Sequence, residues 1–335
     1  MGDVLAEIGK NLADRWLTLL VLPGALYLAV LGAAHTLGQG HAFDVQRLVH
    51  QVSMWATSSA AHSTAALVVV LVAILLGSAA AGTVAQGVGS VIENVWLAGG
   101  WRTWPTPLRR IADLRLQDRR KHWEDAHTSY LRERDDAAHA RALSRIRNRS
   151  HTGPVPSVDL TAARERMTRI SPEYPGRPTW MGDRIDGVTV RLDRDYDLDL
   201  ATVWPSLWLV MPEEARTEIT TSRQSLTSAT TFAGWGVLYL VVGALWWPGI
   251  LVAASIVTAA YRRARAAADT YALILDAAAH LYSSDLARQV GIAHDGPLDH
   301  DTGWKLTCLL QGRSELIPLA AASRPTRGQD PAEKI

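Results

Sequence analysis

Three long stretches of this chain contain no Asp, Glu, Lys or Arg: Trp16 to Gly40, Leu48 to Ile92, and Gln224 to Tyr261. A membrane span needs roughly 20 mostly apolar residues to cross about 30 Å of hydrocarbon, so each window is long enough to hold one. A length of 335 residues would otherwise suit two average soluble domains. The mean hydropathy of +0.01 is then an average over two unlike materials, apolar spans and a charged remainder.

Aromatic residues mark the edges of the windows. The chain has thirteen Trp against two Phe. Trp16, Trp246 and Trp247, and the trio Trp96, Trp101 and Trp104, all sit at the borders of apolar blocks. An amphipathic ring gains most there, with its body in the acyl boundary and its N–H among headgroups. The stretch before the first window carries Asp3, Glu7 and Asp14 beside Lys10 and Arg15, and the window is long for a signal-peptide core, so a retained span is expected.

The fold class expected is mainly α: a polytopic α-helical membrane protein with four transmembrane helices in two hairpins and a largely helical cytoplasmic insert. An N-terminal helix is expected over 1–16 and the first span over 17–37, with Pro23-Gly24 as a kink. An extracytoplasmic loop over 38–64 leads to the second span over 65–86 and a cytoplasmic region over 87–225. The third window holds 38 uncharged residues, about 57 Å as one helix, so two crossings are the simpler reading. Trp246-Trp247-Pro248-Gly249 has the chemistry of a tight turn, giving spans at 226–247 and 250–262 around 248–249. A re-entrant hairpin over 226–262 stays open. A helical C-terminal region over 263–321 and a disordered, polar tail over 322–335 complete the chain.

Lys and Arg placement sets the orientation. Lys10 and Arg15 precede the first span; Arg102, Arg109 and Arg110 follow the second; Arg216 and Arg223 precede the third; Arg262, Arg263 and Arg265 follow the fourth. The 38–64 segment has only Arg47. All flanks agree on a plasma-membrane protein with both termini and the middle region cytoplasmic.

Within the cytoplasmic region a long helix is expected over 108–149. Residues 101–150 hold thirteen Lys or Arg against seven Asp or Glu, an excess of six positive charges. Such a helix beside the membrane is attracted to the anionic inner leaflet by about 1 kcal/mol per basic residue near the surface; a solvated helix held by i,i+4 pairs is the alternative. A compact module is expected over 157–212, with a short strand at Val188 to Leu192 and a one-turn helix around Trp204, Leu207 and Trp208. Beyond the fourth span, Arg262 to Leu286 reads as a helix packing through Tyr271, Leu273, Ile274, Leu275, Leu281 and Tyr282.

The chemistry-bearing patterns are few. In the second span Gly77, Ala81, Ala85 and Gly89 recur every four residues beside the row Ser78, Gly82, Gln86 and Ser90, spacing that lets helices approach closely. These rows suit a subunit interface or pore face, or packing within one chain. No span has a charged side chain near its centre, which argues against a proton relay or coupled transporter. Asp193, Asp195, Asp197 and Asp199 alternate like the start of a calcium loop, but Leu198 stands at the glycine position and Trp204 at the bidentate glutamate position, so a surface strand or helix start fits better. His294, Asp295, Asp299, His300 and Asp301 match no metal-site spacing, and His35, His41, His50 and His62 read as surface residues. Cys308 is the only cysteine, which excludes an intramolecular disulfide and a cysteine zinc site. No phosphate-binding glycine loop, nucleophile elbow or dinucleotide fingerprint is present. No cofactor, no metal, no catalytic residue and no nucleic-acid partner are expected.

The stretch Arg177-Pro178-Thr179-Trp180-Met181-Gly182-Asp183-Arg184, followed by Tyr196-Asp197-Leu198-Asp199 and Trp204-Pro205-Ser206-Leu207-Trp208, resembles a pattern in uncharacterised bacterial multi-pass membrane proteins of actinobacterial type. Those relatives are expected to carry PTRxGN, then YGxD, then WPRLW. Here Trp180 replaces the basic residue, Asp183 the amide, Asp197 the glycine and Ser206 the Arg. The resemblance covers about 35 residues and implies a high-GC bacterial source and no particular activity. Thr179, Gly182, Asp183, Arg184, Tyr196, Asp199, Trp204 and Trp208 are the candidate partner or ligand surface; core packing of the aromatics is the alternative.

Three functional readings follow. The first is a non-enzymatic membrane protein whose cytoplasmic module binds a protein partner or senses a signal. The second is an oligomeric channel, topologically similar to bestrophin-type anion channels by fold-level analogy alone. The third is an enzyme acting on lipid-linked substrates. Anionic inner-leaflet lipids and a homo-oligomer are the other expected partners.

Overall fold

The computed structural model describes residues 22–57, 63–147, 158–294 and 296–316. The N-terminal helix over 1–16, the start of the first span, the linker near 151–156 and the tail from 322 lie outside them. Among the described residues the regular structure is helical throughout. The helices are α1 (Leu22–Leu37), α2 (Val45–Ala56), α3 (Thr64–Leu97), α4 (Thr106–Arg147) and α5 (Val158–Ile170), then α6 (Trp180–Tyr196), α7 (Leu200–Val210), α8 (Glu213–Leu245), α9 (Pro248–Gln289) and α10 (His300–Leu310). By length and composition α3 and α8 can each cross a membrane, and α1 is a shorter apolar helix.

The chain divides into two compact units, one of residues 1–185 with 219–272, the other of 186–218 with 273–335. The stretch 157–212 expected as one module is therefore shared between them.

In the first unit, small residues decide how the apolar helices meet. A Cβ on Gly24 of α1 would lie 2.3 Å from the Ser78 carbonyl oxygen of α3, and one on Gly234 of α8 would lie 2.1 Å from that of Ala85. The space these glycines leave is filled by Tyr27, Trp235, Tyr239 and Val242, which with Ala34, Ala85 and Ala253 form a buried cluster. Tyr27 packs edge-on against Tyr239 with ring centroids 5.6 Å apart. The turn between α8 and α9 is tight but falls at 246–247, two residues before the 248–249 expected from the sequence, and Pro248 and Gly249 belong to α9. Pro248 begins α9, where its missing N–H is not needed. Beside that turn Trp246 Nε1 donates to the Ala42 carbonyl at 2.9 Å, Gln39 donates to that of Ala244 at 2.8 Å, and Phe43 meets Trp247 edge-on.

Several expectations are corrected. Val188 to Leu192 is helix, inside α6, because Met181, Ile185, Val188 and Leu192 repeat at helical spacing, and Met181, Val188 and Leu192 are buried; that burial overrides the strand preference of the β-branched residues. The Trp204 to Trp208 segment is part of an eleven-residue helix, α7, capped by Asp199, rather than a single turn. The segment 250–262 expected as a fourth span and the helix expected after it are one continuous element, α9. Its buried face is alanine: Ala253, Ala260, Ala264, Ala268, Ala272, Ala278 and Ala279, with Leu275, while Leu273 and Leu281 are exposed. Small side chains win there because they admit closer helix contact than the bulky residues expected to pack.

Candidate functional site

The start of α6 is built by the motif residues themselves. The Thr179 hydroxyl accepts from the Gly182 N–H at 3.2 Å, satisfying a donor that the first turn leaves unpaired. Gly182 is needed for close approach: a Cβ there would lie 2.5 Å from the Leu97 carbonyl oxygen at the end of α3. Asp183 is buried, and one carboxylate oxygen accepts from the Gly176 and Arg177 backbone N–H groups at 2.9 and 2.7 Å. The other oxygen pairs with Arg119 of α4 at 2.7 Å, and the same guanidinium nitrogen donates to the Ile170 carbonyl at the end of α5 at 2.8 Å. Burial pushes the Asp183 carboxyl above its ordinary range, against the opposite pull of Arg119 and the two backbone donors. Arg184 pairs with Asp269 of α9. Asp183 therefore ties α4, α5 and the loop before α6 into one node.

Next to this node lies a cavity of about 530 Å³ that sequence reasoning did not find. Part of its lining is apolar and aromatic, with Val95 and Trp96 from α3, Trp104 just before α4, Leu108 and Ile111 at the start of α4, and Tyr261 from α9. Four arginines also line it: Arg115 and Arg119 from α4, Arg169 from α5 and Arg265 from α9. Arg265 stacks on the Trp180 ring with 4.0 Å from guanidinium carbon to ring centroid. Trp96 meets Tyr261 edge-on at 5.5 Å. The basic excess of residues 101–150 and the Trp trio were visible in the sequence, but Arg169 and Arg265 arrive from segments far along the chain.

Thr179, Gly182, Asp183 and Arg184 belong to the first unit, and Tyr196, Asp199, Trp204 and Trp208 to the second. Tyr196 hydrogen-bonds His280 Nε2 at 3.0 Å. Asp197 adopts φ +50°, the left-handed region that favours glycine, at the position where the resemblance expects glycine. Asp199 caps α7, accepting from the Ala201 N–H at 3.1 Å and the Thr202 hydroxyl at 2.6 Å. The Thr202 hydroxyl and the backbone donors hold its carboxyl below the usual range. Thr307 of α10 accepts from the Asp199 N–H and donates to the Asp197 carbonyl, both at 3.1 Å, so α10 docks on this corner. Trp204 and Trp208 are half-buried with ring centroids 5.9 Å apart.

The small-residue face of α3 packs inside the chain. Ser78, Gly82, Ala85 and Gly89 are buried, Gly77 and Ala81 half-buried, and Gln86 exposed. Gly24 fits over Ser78, Gly234 over Ala85, and Gly89 against the Thr230 and Thr231 backbone. Among the described residues no group of three His, Cys, Asp or Glu is placed to hold a metal ion, and Asp295 lies outside them. Comparison with known protein families, curated proteins and solved structures finds no match to this chain.

Proposed function

We propose that this chain is a non-enzymatic integral membrane protein whose cytoplasmic side recognises a ligand or partner at the inner face of the membrane. It would cross four times, in the hairpins formed by α1 with α3 and α8 with α9. The observation that carries the reading is the cavity at the foot of α3 and α9, where aromatic residues meet four guanidinium groups. The placement of charge fits the orientation: the uncharged start of α9, Pro248 to Tyr261, is 14 residues, about 21 Å along the helix, and Arg262, Arg263 and Arg265 follow it. Gln39, Phe43 and the Trp246-Trp247 turn gather at one end of these helices, and Glu93 pairs with Arg223 at the other. The family resemblance of the Arg177 to Pro212 segment points the same way.

Single cysteines introduced on a Cys308→Ala background test the topology. A membrane-impermeant maleimide should label Ser53→Cys and Trp247→Cys in intact cells, and Ala140→Cys only after the membrane is opened. Labelling of all three in intact cells, or of none, overturns the four-span reading. Protection of Trp247→Cys alone leaves α8 and α9 as a re-entrant hairpin.

An oligomeric channel is the weaker reading, because α1 and α8 of the same chain already occupy the small-residue face of α3. A closed ring of subunits in the mass of the detergent-solubilised protein would restore it.

A further inference from the structure

The cavity beside Asp183 combines two chemistries that one class of ligand answers together. Of its four arginines only Arg119 has a carboxylate partner, Asp183; Arg115, Arg169 and Arg265 have none among the described residues. Two further donors of the lining residues, Arg119 Nε and Trp180 Nε1, are buried with no acceptor among the described residues. Buried donors are nearly always paired, so both are open to an acceptor that a ligand brings. Guanidinium groups are matched in geometry and charge to phosphate oxygens, which accept bidentate pairs of N–H bonds.

The apolar part of the lining answers a second chemistry. Val95, Trp96, Leu108, Ile111 and Tyr261 offer carbon surface and aromatic edges, which a free phosphate would leave unused. Leu108, Ile111 and Leu114 on the first turns of α4 are all more than half exposed, and they alternate with Arg109, Arg110 and Arg115. That pattern suits a helix start lying at the boundary of acyl chains and headgroups. A volume of about 530 Å³ is within the usual range for small-molecule sites, roughly 300–1,000 Å³, and holds a headgroup with its glycerol while the chains leave along the apolar wall.

We propose that this cavity binds the phosphate headgroup of an anionic glycerophospholipid of the inner leaflet. The inference rests on the membrane reading above and deepens it. The phosphate sits among Arg115, Arg169 and Arg265, with Arg119 Nε and Trp180 Nε1 as additional donors, and the acyl chains lie against Trp96 and Tyr261. Because those residues come from α3, α4, α5, α6 and α9, a bound lipid fastens five helices at once, and its presence is the signal that the cytoplasmic side reads.

The test uses the full chain in neutral detergent, with thermal unfolding and native mass spectrometry as readouts and phosphatidylglycerol, phosphatidylcholine and inorganic phosphate as probes. Arg115 and Arg169 are exposed and have no carboxylate partner among the described residues, so the double variant R115Q/R169Q should keep the lipid-free unfolding temperature. Arg109 and Arg110 lie outside the cavity, and R109Q/R110Q removes the same charge. The expected result is a rise in unfolding temperature and one or two retained lipids with phosphatidylglycerol, for wild type and R109Q/R110Q, and at least a tenfold weaker response for R115Q/R169Q. Equal loss in both double variants would make the attraction diffuse and overturn the proposal. Equal stabilisation by phosphatidylcholine would also overturn it, and so would full stabilisation by inorganic phosphate, which would mark a soluble ligand. Should R115Q/R169Q unfold at a lower temperature without lipid, R265K, which keeps the charge and loses the planar fork, must still weaken phosphatidylglycerol retention. The cysteine labelling above fails independently of all these outcomes, so loss of the membrane reading is distinguishable from loss of the lipid site.

Discussion

From Gly24 to Gly243 the helices of the first unit meet backbone to backbone, whereas around Asp183 they meet through long side chains. In the apolar part, glycine, alanine and serine let carbonyl groups of one helix come within van der Waals reach of the next, and Tyr27, Trp235 and Tyr239 fill what remains. Lipid gives helices no hydrophobic drive to associate, so close packing of small residues is the available means. In the charged part, Arg119, Arg177 and Arg184 reach across to Asp183, the Leu97 carbonyl and Asp269. The cavity lies among these long side chains, with Gly182 of α6 held against the Leu97 carbonyl in the same part.

Breaking the charged arrangement should have the largest effect. Asp183→Ala leaves Arg119, whose side chain is 15% exposed, without its carboxylate, and removal of one partner of a buried pair costs about 3–5 kcal/mol. Asp183→Asn keeps acceptors for the Gly176 and Arg177 N–H groups and should cost clearly less, which thermal unfolding of the two variants would show. The sign of the pH dependence also separates them. Burial raises the Asp183 pKa, so its contribution is complete below the unfolded aspartate value and declines as pH rises through the raised folded value. Asn abolishes that decline. Equal losses for Ala and Asn would mean that the acceptor for the Gly176 and Arg177 N–H groups contributes little and that the pair with Arg119 carries the effect.

Next in size is the apolar arrangement. Gly234→Ala places a methyl group 2.1 Å from the Ala85 carbonyl oxygen, and two helix backbones must separate, at about 1–3 kcal/mol. Gly182→Ala sharpens the comparison, because it introduces the same kind of clash, 2.5 Å from the Leu97 carbonyl, within the charged part. If side chains rather than backbone proximity set helix spacing there, Gly182→Ala should be the milder of the two. Unfolding temperatures in one detergent decide it, and a larger loss at Gly182 would break the contrast.

What was legible in the sequence follows this division. Small residues at fixed spacing and uncharged windows are local signals, and they point to a mainly helical chain with long apolar helices and to the small-residue face of α3, while the turn between α8 and α9 falls at 246–247 rather than 248–249. The charged part was legible only in its parts. Thr179, Gly182 and Asp183 stood out as a motif, yet whether they bind a ligand or start a helix depends on Gly176, Arg119 and Leu97, which no spacing rule connects. Arg169 and Arg265 reach one cavity from segments almost a hundred residues apart in sequence. Val188 to Leu192 was misread because β-branched residues favour strands locally, while burial at helical spacing is what decided it. The alanine face of α9 was hidden by larger neighbours such as Leu273 and Leu281, which stay exposed.

The second unit joins its helices in a third way, through side chains that close backbone ends. Asp199 caps α7 and Asp299 caps α10, accepting from the Thr302 N–H at 2.9 Å. Both carboxyls are held below the usual range, chiefly by Thr202 and Thr302 respectively. The stability they contribute is thus present above the unfolded value of about 3.9 and is lost as pH falls through the depressed folded values, opposite in sign to Asp183. Asp199→Ala should cost about 1 kcal/mol near neutral pH. Hydrogen exchange of peptides covering 199–210 should speed up in the variant, and less so at low pH.

The smallest effect expected is at Asp197, between α6 and α7, where φ is +50°. An ordinary L residue in this region costs about 1–2 kcal/mol, and the Asp197 carboxylate also meets His300 Nδ1, far along the chain, at 3.2 Å. Asp197→Gly removes the Cβ penalty and loses that contact while widening the unfolded ensemble, so stability should move by less than about 1 kcal/mol. Asp197→Ala loses the contact and keeps the penalty, and should be the less stable of the two. Should Ala prove at least as stable as Gly in thermal unfolding, the corner does not hold its left-handed conformation, and the docking of α10 through Thr307 on the Asp197 carbonyl would have to be redrawn.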